Sequence, residues 1–191
     1  MRKLYLFNMV TLDGYFEGPK KWEIDWHNVD DEFNEFAINQ LNETDAIIFG
    51  RVTYEGMASY WPTPRAIEND PVIAAKMNSI PKLAFSRTLK KAEWSNTSLV
   101  SNDIGGEISR LKGQPGKDLG IFGSANLASS LNRLGLIDEY RLIVNPVILG
   151  SGNPLFRNLN KKQDLRLVRN TNFKSGNVLL VYRLNGQEKR T

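Results

Sequence analysis

The chain has 191 residues, 41% hydrophobic and 24% charged, with a formal net charge of +4 and a sequence pI near 9.3, the size and balance of a soluble globular unit built on one core. It carries no cysteine and a single histidine, His27, which excludes a disulfide scaffold, a thiolate nucleophile and a cysteine-ligated metal and leaves any histidine-based metal cluster or Ser-His-Asp triad resting on one residue. No run approaches the roughly 20 apolar residues that cross a bilayer, and the basic residues are spread along the chain, with pairs at Lys20-Lys21, Lys90-Lys91 and Lys161-Lys162 and a tail at Lys189-Arg190, so neither a membrane nor a nucleic acid is the expected partner.

The opening MRKLYLFNMVTLDGY has basic residues before apolar ones, but Asp13-Gly14 follows without a small-residue cleavage site. It reads as a first strand, Lys3 to Val10, with a turn at Asp13-Gly14, and the expected location is the cytoplasm. Gly18 to Lys21 is a loop, and Trp22 to Asn28 carries two tryptophans around Glu23 and Asp25. From Asp31, the residues Phe33, Phe36, Ala37 and Leu41 form an apolar helical stripe with acids in its first turn. Asp45 to Phe49 is a buried strand, and Gly50-Arg51-Val52-Thr53-Tyr54-Glu55 opens a second helix.

Trp61 to Asp70 is proline-rich and reads as irregular. Pro71 starts a short helix to Ser79. Lys82 to Phe85 is a strand ending in Ser86-Arg87, Leu99-Val100 a shorter one, and Asn102 or Asp103 can cap a helix to Leu111. After a turn from Gly113 to Lys117, Asp118 to Phe122 is a strand leading through Gly123-Ser124-Ala125-Asn126 into a helix with Leu127, Ala128, Leu131 and Leu134 at helical spacing and Gly135 at its stop. A strand from Tyr140 to Leu149 ends in Gly150-Ser151-Gly152. A hairpin of Leu165 to Phe173 and Val178 to Leu184 turns at Lys174 to Asn177.

Strands alternating with helices predict an α/β fold with a mostly parallel sheet, antiparallel at its C-terminal end, in a single domain spanning residues 1–191. Three strand ends carry Gly-Arg-x-Thr, Ser-Arg and Gly-Ser-Ala-Asn. Strand, glycine and helix start can present free N–H groups to a phosphate or can serve only to turn a corner. In open sheets ligands gather outside the carboxyl ends of strands, so the three could meet at one ligand. The dinucleotide fingerprint G-x-G-x-x-G is absent, since Gly150-Ser151-Gly152 runs into Pro154, and there is no P-loop.

DAIIFGRVTYE, LAFSRTL, GIFGSANLASSL and EYRLIVNPVILGSGNPLF, in this order, resemble the dihydrofolate reductase-like superfamily, and more closely its branch with the C-terminal reductase domain of riboflavin biosynthesis (RibD). LYLFNMVTLDGYFEG and FKSGNVLLVYRL extend the resemblance over nearly the whole chain. It implies a three-layer α/β/α, dihydrofolate reductase-like fold, with a central, mostly parallel mixed sheet ending in a β-hairpin. It also implies an NADPH-dependent reductase, without metal, that transfers hydride to a pterin, a ribosylated pyrimidine such as 5-amino-6-(5-phosphoribosylamino)uracil, or a related heterocycle. The alternative is a non-catalytic NADPH- or pterin-binding protein on the same fold.

By that resemblance Gly50, Arg51 and Thr53 would meet the cofactor's phosphates, and Ser86 and Arg87 the adenosine ribose and its 2′-phosphate, which suits a fixed, always-charged guanidinium. Gly123, Ser124, Ala125, Asn126 and Leu127 would form the pyrophosphate-binding helix start, with Ser124 standing where the folate reductases have a second glycine. Val10, Ile148 and Gly150 would lie near the nicotinamide. Read without the family, Arg51 and Arg87 are equally well surface ion pairs. Folate reductases place an acid on the first helix; counting back from Gly50 without a gap reaches Asn34, and Asp31, like its neighbours Asp30 and Glu32, needs a gap and also suits a helix first turn. Asp13, with Gly14 in the Leu-Asp-Gly segment, is a candidate substrate or proton-relay residue. Trp26, Tyr54 and Trp61 can stack on a flat heterocycle or pack in the core. His27 reads as a loop residue. A small heterocyclic substrate and a homodimer complete the expected partners, and, since zinc-binding His and Cys ligands are missing, the zinc deaminase domain usually fused ahead of this one in riboflavin enzymes is not expected here.

Overall fold

The computed structural model describes residues 1–159 and 161–185; the Lys189-Arg190 tail lies outside them. The elements in chain order are β1 (Leu4–Thr11), β2 (Tyr15–Glu17), α1 (Asp31–Asn42), β3 (Thr44–Gly50), α2 (Arg51–Tyr60), α3 (Pro64–Asn69), α4 (Pro71–Ser79), β4 (Lys82–Phe85), β5 (Thr97–Val100), α5 (Ile104–Lys112), β6 (Asp118–Phe122), α6 (Ala125–Arg133), β7 (Glu139–Asn145), β8 (Asn153–Pro154), β9 (Leu165–Asn172) and β10 (Val178–Leu184). Eight strands form one sheet in the order β5-β4-β3-β6-β1-β7-β10-β9. Every pairing from β5 to β7 is parallel, and β10 and β9 add antiparallel at one edge.

The strands are apolar on both faces because helices cover both faces. Leu4, Leu6, Ala46, Ile48, Leu119 and Ile121 point to one side, against Ile108 of α5 and Leu127, Ala128 and Leu131 of α6. Their neighbours Tyr5, Ile47, Phe49 and Phe122 point to the other, against Leu41 of α1, Tyr54 of α2, and Ile73 and Met77 of α4. The strand period of two divides each run between the layers. This is the expected α/β/α arrangement of the dihydrofolate reductase-like fold, with its C-terminal hairpin.

Two expectations change. The stretch from Trp61 to Asp70 is not wholly irregular: Pro64–Asn69 is helical, with Thr63 Oγ1 accepting from Ala66 N at 3.2 Å and Pro64 in the first turn, a cap and a proline that favour a start. The strand from Tyr140 ends at Asn145 rather than Leu149, because Pro146 has no N–H to continue a ladder paired on both sides. A small pair of β2 with β8, antiparallel, joins the segment after β1 to the segment after β7.

Candidate functional site

The site begins with strand order. β4, β3 and β6 are consecutive in the sheet and parallel, so the three glycine- and arginine-bearing strand ends noted in the sequence emerge side by side. A cavity of about 930 Å³ opens at the carboxyl ends of β3, β6 and β1, the position at which open α/β sheets bind ligands.

One side of the cavity is built from two helix starts. α2 begins after Gly50 and α6 after Ser124, and neither N-cap residue caps its helix through a side chain. Ser124 Oγ instead accepts from Gly50 N at 2.7 Å, tying the two starts together. Elsewhere Asp30, Thr63 and Asp103 cap α1, α3 and α5 through their side chains, and α4, whose N-cap Asp70 makes no side-chain cap bond, begins with Pro71. Two helix N-termini without a side-chain acceptor, facing one cavity, leave N–H groups and two positive poles for an anion. The approach is close: Gly123 has φ +66°, and a Cβ there would stand 2.9 Å from Thr53 Cγ2, so only glycine joins β6 to this turn without displacing Thr53.

Polar atoms left without partners lie on the same wall. Asn8 is buried with no partner for Nδ2, and Arg157 has no partner for its buried Nε, while its Nη2 donates to Asn126 Oδ1 at 2.8 Å at the start of α6. Buried unpaired donors carry a penalty that a ligand oxygen would relieve. Arg51, also on the wall, pairs with Glu55 at 3.0 Å. These donors and helix starts fit a phosphate-bearing cofactor.

The other side is apolar. Trp22, Phe33, Ala37, Met57 and Trp61 line it, and the cavity's polar members include Asn34, His27, Glu17 and Asp70. Trp22 holds a positive φ of 64°, its N–H donates to Glu17 Oε1 at 2.6 Å, and its ring lies on α2 where a Cβ at Gly56 would collide with it. Burial pushes the His27 imidazole down to about 4, so at neutral pH it is uncharged.

Of the residues singled out in the sequence, Gly50, Arg51, Thr53, Trp61 and Gly123 to Leu127 line this cavity. Val10 is buried beside it against Ala125 and Leu155. Ser86 and Arg87 stand at the adjoining end of β4 but off the cavity wall; Ser86 Oγ accepts from Thr88 and Leu89 N–H groups, and Arg87 is exposed, with no ion pair among the described residues.

Several candidates take other roles. Tyr54 is not on the cavity wall: its ring is 3% exposed in the core beside Trp94, and its hydroxyl accepts from Trp94 N at 3.0 Å. Trp26 lies outside the cavity wall, its indole donating to Glu23 O while its edge meets His27; the tryptophan on the wall is Trp22. Asp31 is exposed in the first turn of α1 and is not on the wall. Asp13 is exposed and clamps two loops: it accepts from Thr11 Oγ1 at 2.6 Å, Gly150 N at 2.8 Å and Leu149 N at 3.3 Å, and these bonds, Thr11 foremost, hold its carboxyl below the usual value. Gly14, Ile148 and Gly150 belong to those exposed loops and are likewise off the wall. Asn8 was detectable as a lone amide in an apolar strand. Arg157 and Trp22 carry no sequence signal, because folding alone brings them to the cavity.

The sequence profile of the RibD C-terminal domain matches residues 2–179. The chain is 37% identical over 188 residues to the uncharacterized protein YyaP of Bacillus subtilis (strain 168), covering 97% of this chain and 96% of that one. A solved structure from Shewanella sp. PV-4, described provisionally as a riboflavin biosynthesis protein, superposes with a TM-score of 0.73 at 22% identity, covering 95% of this chain and 98% of the other. Dihydrofolate reductase from Enterococcus faecalis, solved in complex with NADP(H) and RAB-propyl, gives a TM-score of 0.61 at 14% identity over 96% of both chains.

Proposed function

Because the chain belongs to the RibD C-terminal domain family, we propose that it is an NADPH-dependent reductase acting on a pterin, a ribosylated pyrimidine or a related heterocycle. The observation that carries this reading is the pair of uncapped helix starts, α2 and α6, opening on one cavity beside unpaired donors of Asn8 and Arg157. In this reading the N–H groups after Gly50 and Ser124 hold the cofactor's phosphates, with Arg51 and Arg157 supplying charge. Arg87, exposed at the end of the neighbouring strand, takes the 2′-phosphate. A reduced nicotinamide held there would supply hydride chemistry, its C4 hydride passing to the carbon of a ring C=N or C=O whose nitrogen or oxygen would take a proton, leaving the oxidised cofactor.

This chain's residues contribute position and exclusion of water. Phe33, Met57 and Trp61 make a dry wall on which a flat ring can be held for transfer. Asn34, on the wall at the position that an ungapped count from Gly50 gives for the folate reductases' acid, cannot itself donate a carboxyl proton, so the proton comes from water or from one carboxylate; Glu17 and Asp70 are the described carboxylates on the wall.

Thermal-shift titrations with NADPH and NADH test the reading, since a ligand of the native state raises its stability with concentration over affinity. A larger shift with NADPH is expected, falling toward the NADH value in Arg87→Ala. Equal shifts in the parent protein would remove the 2′-phosphate assignment, and no shift with either would overturn the cofactor site. Steady NADPH oxidation with a pterin or pyrimidine would establish the reductase over the binding-protein alternative.

A further inference from the structure

Charge is distributed unevenly over the cavity. Among the described residues its cations are Arg51 and Arg157, and both sit at the helix starts, Arg51 in the first turn of α2 and Arg157 on Asn126 of α6. The wall then follows α2 to its far end at Tyr60 and Trp61, nine residues on and about 14 Å away at 1.5 Å per residue. That half is formed by Trp22 and Ile24 from the β2–α1 segment, Phe33 and Ala37 from α1, and Met57 and Trp61.

The carboxylates on the cavity wall are those of Glu17 and Asp70, and the His27 imidazole, also on the wall, is neutral at pH 7. Glu17 is held in place by Trp22 N and by Asn153 Nδ2 at 2.7 Å. The C-terminal end of α2 adds a negative pole. The N-terminus of α4 lies nearby: Pro71 offers no N–H there, and Asp70, which makes no cap bond to the N–H groups that follow, adds a carboxylate beside that positive pole.

We propose that the substrate half of this cavity takes an uncharged planar ring of one or two fused six-membered rings, bearing neither phosphate nor carboxylate. The proposal deepens the reductase reading and rests on it for which end the dinucleotide occupies. A phosphorylated pyrimidine would have to place its phosphate against two carboxylates and an apolar wall, without a cation to offset desolvation. A neutral ring instead meets aromatic faces, with the Asn34 amide and the neutral His27 imidazole available for its polar edge.

The test is isothermal titration calorimetry on the intact chain with three probes: NADPH alone, then 6-methylpterin and pterin-6-carboxylate, which share a ring and differ by one negative charge, each in saturating NADP⁺ and in its absence. The expected result is 6-methylpterin binding at least about tenfold tighter than the carboxylate, the discrimination that nearby carboxylates impose on an anion. Asp70→Lys, which removes no capping hydrogen bond, should narrow that gap to about threefold or reverse it. The parent comparison stands even if the variant does not fold. Equal or tighter binding of the carboxylate overturns the proposal. So does failure of both pterins while NADPH binds, which leaves the cofactor site standing. Binding of 6-methylpterin with the expected preference, without NADPH binding, would retain the neutral-ring site and overturn the reductase reading.

Discussion

At the residue scale, side chains of one chemical type separate by what surrounds them. Lys82 is 1% exposed, its Nζ donating to the carbonyls of Met77, Asn78 and Ile80 at the end of α4 and resting over the Trp94 ring, and burial pushes it down to about 8. Arg87 and Asp13 remain in water. His27 yields a pH prediction: its folded value near 4 lies below the ordinary 6.5 because the charged form is desolvated. The unfolded chain therefore takes up a proton below 6.5 that the folded chain refuses, so stability is lost as pH falls from 6.5 to 4, on the order of 2 kcal/mol from this group. Urea unfolding at steps across that window should show the loss, and His27→Gln should flatten it. An unchanged slope in the variant would show that His27 is not its source.

At the element scale, helix starts carry the difference between structure and site. α1 is closed by Asp30, whose Oδ1 accepts from Phe33 N at 2.8 Å, while α2 and α6 are left open toward the cavity. Asp30→Ala should lower stability by about 0.5–2 kcal/mol, measured by chemical denaturation. It should also weaken binding on the cavity wall, because the same first turns place Phe33, Asn34 and Ala37 there. Most elements were legible in the sequence, since burial on both faces makes strands into apolar runs and α1 shows its stripe. α3 and the end of β7 were not placed correctly, because a Thr-Pro start was masked by surrounding prolines and an apolar run continued past Pro146.

At the scale of the whole molecule, the sheet has one exposed edge of particular character. Among the described residues β9 pairs only with β10, and Leu165, Leu167 and Val168 on it are exposed. Long apolar edges invite pairing with another chain, and the homodimer implied by the family resemblance is proposed to form there. Sedimentation velocity should give a dimer, and Leu167→Lys should shift it toward monomer; a parent protein that sediments as monomer at micromolar concentration would remove the proposal. None of the described helices is long and apolar enough to cross a membrane.

The sequence by itself determined the alternation of strands and helices, the parallel sheet with its terminal hairpin, and the glycine-bearing strand ends, because periodicity and turn chemistry act over a few neighbouring residues. The tertiary structure alone decided which of those residues share a space. Sheet order set β4, β3 and β6 together and Ser124 on Gly50. Chain closure brought Arg157 to Asn126 and Trp22 to Gly56, while Tyr54 turned into the core and Asp13 became a clamp. Contacts across such separations depend on how layers pack, and no local pattern encodes them.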